Sequence, residues 1–269
     1  MKTFPGLGSR VLVAVPGIVI FLWVILFGGP AASLVLFSLL GVLAGYEAVS
    51  LCLPSSPVHI RLPVGLAAGF STLLVGIGSP LQTAAVLLPG VCFALWWIPC
   101  RAPRGARAEM LGVMGLTLFY TAGFGILARL SIDWPHRGIV LIPLASCWIG
   151  DSFAYFAGCR WGRHKMIPKV SPGKSWEGFA AGLAGSVAGA MAVGWGGMAP
   201  VHLAVAGIVC GIAAVFGDLF ESAVKRDSGV KDSGSFLGAH GGILDRFDSV
   251  AAAAPAALAV LHLFGPGAG

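Results

Sequence analysis

Three aspartates stand at the edges of the last two hydrophobic stretches of the chain, where they could share one site. Asp218 ends one stretch, and Asp245 and Asp248 open the next. Residues three apart share a helix face, so Asp245 and Asp248 can point at one spot. Carboxylates alone suit Mg²⁺ or another hard cation rather than zinc. The spacing favours a cation site; the alternative is that each acid pairs with a base such as Arg246 or Lys225.

Two basic stretches accompany these acids. One runs from Arg160 to Lys174, and the other contains Lys225, Arg226 and Lys231. A run of bases is usually a solvated loop on the cytoplasmic side of a membrane protein. Bases and glycine-rich turns beside a cation site also suit a polyphosphate. The acids and bases together indicate phosphoryl or nucleotidyl transfer, which depends mainly on charge neutralisation and positioning.

The composition places this chemistry in a membrane. Of the 269 residues, 57% are hydrophobic and only 10% are charged, against about 25% charged in soluble proteins. So few charges cannot cover a soluble fold, and membrane barrels lack long apolar runs. We therefore predict an all-α polytopic membrane protein with one domain over 1–269. Within it, 1–130 forms the N-terminal helices and 138–264 carries the catalytic motifs.

Nine hydrophobic stretches are long enough to cross a bilayer, which takes about 20 residues. They are 11–27, 31–50, 63–79, 80–98, 108–130, 138–158, 176–197, 201–220 and 242–264. With the N-terminus inside, 15 of the 17 Lys and Arg residues fall on the cytoplasmic side. The positive-inside rule then predicts nine transmembrane helices, an internal N-terminus and an external C-terminus. The net charge of +6 is typical of basic cytoplasmic loops and of a protein that contacts anionic lipid or phosphate. No nucleic acid partner is predicted.

Two features leave alternatives open. Glu47 lies near the cytoplasmic end of the second span, where it is either solvated or buried against a loop arginine. Gly178, Gly182, Gly185 and Gly189 have a spacing that lets another helix backbone approach closely. That other helix belongs either to the same chain or to a second copy in a homodimer.

The stretch from Ser222 to Asp248 resembles the signature of phosphatidate cytidylyltransferases, also called CDP-diacylglycerol synthases. It comprises Ser222-Ala223-Val224-Lys225-Arg226, then Lys231-Asp232-Ser233-Gly234, then Leu237 through Asp248. The stretches around Asp151, Tyr155 and Gly158 and from Lys169 to Gly178 are also similar to that family. Ser175 departs from the threonine that is more frequent there but keeps the hydroxyl group.

The resemblance implies an Mg²⁺-dependent transfer of CMP from CTP to phosphatidate, giving CDP-diacylglycerol and pyrophosphate. The partners are then CTP, phosphatidate and membrane lipid, at a site facing the cytoplasm from the cell (inner) membrane. The resemblance implies that Asp218, Asp245 and Asp248 hold the divalent ion, with a second cation left open. The other catalytic residues it implies are Lys225, Arg226, Lys231, Asp232, His240 and Arg246. The implied substrate-binding residues are Asp151, Tyr155, Lys165, Lys169, Ser171, Lys174, Ser175, Glu177, Ser222, Gly241 and Gly242.

Two other functions compete with this reading. A CTP-dependent lipid kinase of related architecture would release CDP rather than pyrophosphate, and the full signature from Ser222 to Asp248 argues against it. A transporter would use Asp151 and Asp218 as an ion path near the middle of the bilayer. The gathering of acids and bases at one face suits chemistry at the membrane interface better.

Overall fold

Helices account for nearly all the regular structure. The structure, a computed structural model, describes residues 7–78, 106–134, 138–234, 236 and 241–265, with side chains from residue 16 onward and, in the second segment, from residue 109. Its helices are α1 (Leu7–Phe27), α2 (Gly29–Cys52), α3 (Val58–Gly76), α4 (Ala106–Asp133), α5 (Leu141–Trp161), α6 (Trp176–Gly194), α7 (Pro200–Asp227) and α8 (Leu244–Phe264). An antiparallel hairpin of β1 (Lys165–Ile167) and β2 (Ser171–Ser175) joins α5 to α6.

The all-α architecture predicted from the composition is confirmed. In the part of the chain that the structure describes, five helices are long and apolar enough to cross a bilayer, namely α2, α3, α4, α7 and α8. Each of the predicted spans except 80–98 overlaps one of the helices. The stretch 80–98 falls outside the described residues, as does the end of the neighbouring predicted span at residue 79.

Helix α7 is longer than its hydrophobic stretch. The predicted span ends at residue 220, but the helix continues to Asp227. The prediction of a loop at Lys225 and Arg226 is therefore wrong. Hydropathy marks where a helix leaves the apolar layer, not where its hydrogen bonds stop. The chain turns only at Gly229, whose φ of +71° is the left-handed conformation that ends many helices. As a result Asp218, Lys225 and Arg226 lie on one rigid helix.

The basic stretch after α5 is also more ordered than a loop. Lys165 pairs with Ser175 and Ile167 with Ser171 across the two strands. The N–H of Trp176 donates to the carbonyl oxygen of His164 at 2.9 Å, which closes the hairpin at its base. Few apolar residues mark these short strands, so hydropathy does not reveal them.

The helices pack in two groups that meet along α4 and α8. Helices α2, α3 and α4 pack together, and α5 to α8 pack in chain order. A line of rings joins the groups, with centroids 6.3 Å apart between Phe37 and Phe124 and 5.4 Å apart between Phe124 and Phe247. This contact brings the N-terminal helices against the start of α8, where two of the predicted acids lie.

The glycines of α6 pack against α5 of the same chain. A Cβ atom on Gly185 would lie 2.9 Å from the carbonyl oxygen of Ile149, and one on Gly178 would lie 2.9 Å from that of Ala154. Both distances are too short for a side chain, so the glycines allow the two backbones to touch. The first of the two alternatives for this stripe, packing within one chain, is therefore confirmed.

Candidate active site

Lys225 lies between two acids where α7 meets α8. Its Nζ donates to Asp245 Oδ1 at 2.7 Å and lies 3.3 Å from Glu221 Oε1. Only 12% of the Lys225 side chain is exposed, and that of Glu221 is fully buried. Buried charges are tolerated when they are paired and hydrogen-bonded. For Asp245 the structure thus shows the alternative stated above, pairing with a base.

The second oxygen of Asp245 organises the loop before α8. Oδ2 accepts hydrogen bonds from the N–H and the hydroxyl of Ser233 and from the N–H of Gly242, each at 2.9 Å. Gly241, with φ of +79°, supplies the turn that aims this N–H at the carboxylate. Both oxygens of Asp245 are therefore engaged, and the loop is tied to α7 through Lys225.

Tyr120 and Glu221 belong to this network but were missed by the sequence-based assignment. The hydroxyl of Tyr120, on α4, lies 2.8 Å from the carbonyl oxygen of Leu244 and 3.1 Å from Glu221 Oε2. Both residues are buried. An acid four residues before a lysine on a membrane helix was the signal for Glu221. Nothing in the sequence near Tyr120 points to α8, more than one hundred residues away.

Three further acids converge from three helices. Asp151 of α5 and Asp218 of α7 each interact electrostatically with Asp248 of α8. Asp248 Oδ1 accepts the N–H of Ser249 at 2.6 Å. In the described part of the chain, no three His, Cys, Asp or Glu side chains come close enough to hold one metal ion. The structure thus brings like charges near one another without assembling the predicted trio.

Lys174 is the base that reaches these acids. Its Nζ lies 2.8 Å from Asp218 Oδ2, and the hydroxyl of Ser222 donates to Asp218 Oδ1 at 3.1 Å. Lys174 Nζ also donates to the carbonyl oxygen of Val215 at 3.4 Å. Asp151 and Val215 line a small cavity between α5, α6 and α7. Strand β2 of the hairpin therefore brings one positive charge, that of Lys174, to the acidic group.

Two predicted substrate-binding residues instead make contacts within the hairpin and α6. The Ser175 hydroxyl accepts the N–H of Gly178 at 3.2 Å and so caps α6. Glu177 accepts the N–H groups of Arg163 and His164 at 3.2 Å, and its Oε1 lies 2.6 Å from His164 Nδ1. These contacts hold the hairpin to the start of α6.

The remaining predicted residues are mostly on the surface. Arg226 donates to the carbonyl oxygen of Val170 at 3.4 Å, which ties the hairpin to α7. Ser171 is half-buried at the start of β2. The exposed ones are Tyr155, Lys165, Lys169, Lys231, Asp232 and Arg246. His240 falls outside the described residues.

Comparison with known proteins finds relatives that match nearly the whole chain. Residues 8–264 match the cytidylyltransferase family. A phosphatidate cytidylyltransferase of Brucella abortus is 35% identical over 97% of this chain and 93% of its own length. Those of Pseudomonas aeruginosa and Thermotoga maritima are 39% and 31% identical, over 75% and 85% of this chain and 72% and 87% of their own. Since the match includes all the described helices of the site, the chain belongs to the cytidylyltransferase family.

Proposed function

We propose that the protein is a phosphatidate cytidylyltransferase of phospholipid biosynthesis, which converts CTP and phosphatidate to CDP-diacylglycerol and pyrophosphate. The observation that carries the proposal is the family match over residues 8–264, which includes Lys225 and the two acids beside it, Glu221 and Asp245. The substrates in the proposal, CTP and phosphatidate, are taken from the names of the relatives. An apolar chain with a charged cluster at helix ends suits a reaction between a lipid phosphate and a soluble nucleotide.

The reaction needs no covalent intermediate with the protein. An oxygen of the phosphatidate phosphate attacks the α-phosphorus of CTP and forms the new phosphorus–oxygen bond. The bond from that phosphorus to the oxygen bridging the α- and β-phosphates breaks, and pyrophosphate leaves with the electron pair. Negative charge builds up on both phosphates, so the protein must position them and neutralise charge.

The bases near the acidic cluster are suited to that task. Lys225 is fixed by Glu221 and Asp245, so its remaining N–H bond is directed rather than mobile. In this proposal Lys225, Arg226, Lys231 and Arg246 neutralise the triphosphate and the lipid head group. Lys165, Lys169 and Lys174 approach the nucleotide from the hairpin. In this proposal the backbone of His240, Gly241 and Gly242 approaches a phosphate.

The chemistry of Asp151, Asp218 and Asp248 suits Mg²⁺, although in the described residues no three of these acids are close enough to hold one ion together. Their donors are carboxylate oxygens, and their mutual repulsion is the kind that a hard cation relieves. We propose Asp218 and Asp248 as its ligands. Asp245 belongs to the predicted trio, but four hydrogen bonds from Lys225, Ser233 and Gly242 hold its oxygens. Asp218 has two such contacts, with Lys174 and Ser222, which it would exchange for the ion. Bound Mg²⁺ would supply charge neutralisation on the triphosphate.

The proposal extends to the placement of the chain in the membrane. In this proposal the chain has nine transmembrane helices in the cell (inner) membrane, with its N-terminus inside and its C-terminus outside. The active site faces the cytoplasm. The distribution of Lys and Arg supports this orientation. Cysteine-accessibility labelling should therefore reach residues 160–174 and 225–234 only from the cytoplasmic side. Labelling of these residues from outside would overturn the orientation.

A product assay tests the reaction directly. Purified protein in detergent receives labelled CTP, phosphatidate and Mg²⁺, with EDTA and the Asp248→Asn variant as controls. Labelled lipid and an equal amount of pyrophosphate, both absent from the controls, are expected. Phosphorylated lipid with CDP would show a lipid kinase instead. No product from a folded sample would reject the transferase and direct the next test to solute uptake in proteoliposomes.

A further inference from the structure

Glu47 of α2 lies beneath the loop that carries Asp245. It stands 197 positions before Leu244 in the chain, yet its Oε2 accepts the N–H of Leu244 at 3.1 Å. Only 5% of Glu47 is exposed. It is thus neither solvated nor, among its described contacts, bound to a loop arginine, the two alternatives considered from the sequence.

This contact caps helix α8 from outside. Leu244 is the first residue of α8, and the preceding Ile243 has no side-chain oxygen with which to cap it. The first N–H groups of a helix lack partners within the helix, and a carboxylate there also interacts favourably with the helix dipole. Glu47 therefore provides from another helix the acceptor that the local sequence lacks.

Two glycines of the loop lie directly on the Glu47 carboxylate. A Cβ atom on Gly234 would be 3.1 Å from Oε1 and 3.2 Å from Cδ of Glu47, and one on Gly242 would overlap Oε2. The N–H of Gly242 in turn donates to Asp245. The same backbone is thus held by Glu47 on one side and by Asp245 on the other.

We propose that Glu47 is a positioning residue for nucleotidyl transfer. Its carboxylate holds the backbone around Ser233 and Gly242 in the conformation that keeps Asp245 on Lys225. Among the described residues, Gly242 is the one residue proposed to approach CTP that Glu47 contacts, so loss of Glu47 should slow turnover more than it weakens binding. The kinetic part of this inference rests on the proposed function, and the exchange measurement below does not.

The kinetic test compares Glu47→Ala, Glu47→Gln and Ser50→Ala in the full-length protein. The control Ser50 is one turn away on α2, and its hydroxyl donates to the carbonyl oxygen of Tyr46 in the same helix at 2.9 Å. Glu47→Ala should lower kcat at least tenfold and change KM for CTP less than threefold. Glu47→Gln keeps an acceptor oxygen and should stay within threefold of the wild-type kcat. A normal kcat in the alanine variant, or a glutamine variant as impaired as alanine, would overturn the proposal.

A second variant covers the case in which Glu47→Ala does not fold. Gly234→Ala inserts a methyl group whose nearest contacts all belong to Glu47. It should lower kcat at least threefold with KM for CTP unchanged, and an unaltered kcat would contradict the inference.

Hydrogen exchange on the purified chain is independent of activity. Glu47→Ala should speed exchange in peptides containing Gly242 and Leu244 at least tenfold relative to wild type and Ser50→Ala. Unchanged exchange would reject Glu47 as the support of this loop. A wild type that makes no CDP-diacylglycerol would reject the proposed function alone.

Discussion

The N-terminal helices α2–α4 and the C-terminal helices α5–α8 contribute to the site in different ways. The C-terminal helices carry the charged residues, including Lys225 and the acids Asp151, Asp218 and Asp248. The N-terminal helices contribute two buried polar side chains, Glu47 and Tyr120, which meet at Leu244. In the proposed function, the C-terminal half therefore presents charge to the substrates, and the N-terminal half fixes the backbone that carries part of that charge.

The difference shows why the N-terminal helices of such a protein can be taken for a membrane anchor with no part in the site. Its helices are apolar, and their packing is dominated by buried aromatic and aliphatic side chains. In a membrane a polar side chain is costly unless it has a partner. The polar side chains of Glu47 and Tyr120 are therefore informative, because they bond the N–H and the carbonyl oxygen of Leu244, the first residue of α8. The predictions below probe this division of roles, beginning with the charged half.

Asp248→Asn should have the largest effect. Removing its charge from the acidic group should lower kcat at least about a hundredfold, the scale of losing a preorganised electrostatic contact. The product assay with an Mg²⁺ titration measures this. Asp133→Asn is the matched control, since Asp133 lies on α4 and pairs with Arg129 outside the site. Near-normal activity of Asp248→Asn would remove this residue from the cation site.

Lys225→Met should abolish activity and also weaken the fold. It leaves Glu221 and Asp245 without their cation, and breaking a buried pair in this way costs about 3–5 kcal/mol. The double variant Lys225→Met/Glu221→Gln should regain most of the lost stability but none of the activity. Unfolding in detergent measures the first effect and the product assay the second. A double variant no more stable than the single one would show that Glu221 is not held by Lys225.

Tyr120→Phe tests the supporting half. It removes the hydroxyl that faces both Leu244 and Glu221, which should cost about 1–3 kcal/mol of unfolding free energy. We expect a fall of about tenfold in kcat, on the same scale. Tyr46→Phe removes a hydroxyl from the same half, outside the network, and should behave as wild type. Equal behaviour of the two variants would limit the supporting role to Glu47.

Glu177→Gln should have the smallest effect. The pair with His164 is on the surface, where 79% of the His164 side chain is exposed, and such pairs contribute about 0–1 kcal/mol. We expect less than a threefold change in kcat/KM, measured with CTP as the varied substrate. A large rise in KM for CTP would instead place Glu177 on the nucleotide, as the family resemblance implies.

Hydropathy located the helices better than it located their ends. The stretches 31–50 and 108–130 coincide closely with α2 and α4, since burial in lipid demands an apolar helix and little else. The end of α7 at Asp227 and the hairpin at Lys165–Ser175 were not predicted. Both lie where the chain leaves the apolar layer, and there hydrogen bonding rather than hydropathy decides the conformation.

Spacing likewise located charged residues without revealing their partners. Asp245 and Asp248 are three apart and were expected to face one ion. The structure instead turns Asp245 to Lys225, Ser233 and Gly242, while Asp248 lies near Asp151 and Asp218. A separation of three residues limits direction only to a broad helix face. The choice of partner within that face depends on the neighbouring helices.

The sequence by itself determined an all-α membrane protein of the cytidylyltransferase family, and it predicts that the catalytic motifs lie after residue 138. These properties follow from average apolarity and from residues close together in the chain. Only the tertiary structure decided that α6 packs on α5, that Lys225 holds Asp245, and that Glu47 and Tyr120 support α8. Such contacts join residues that are distant in the chain, and their energies depend on the packing of helices whose relative positions no local pattern records.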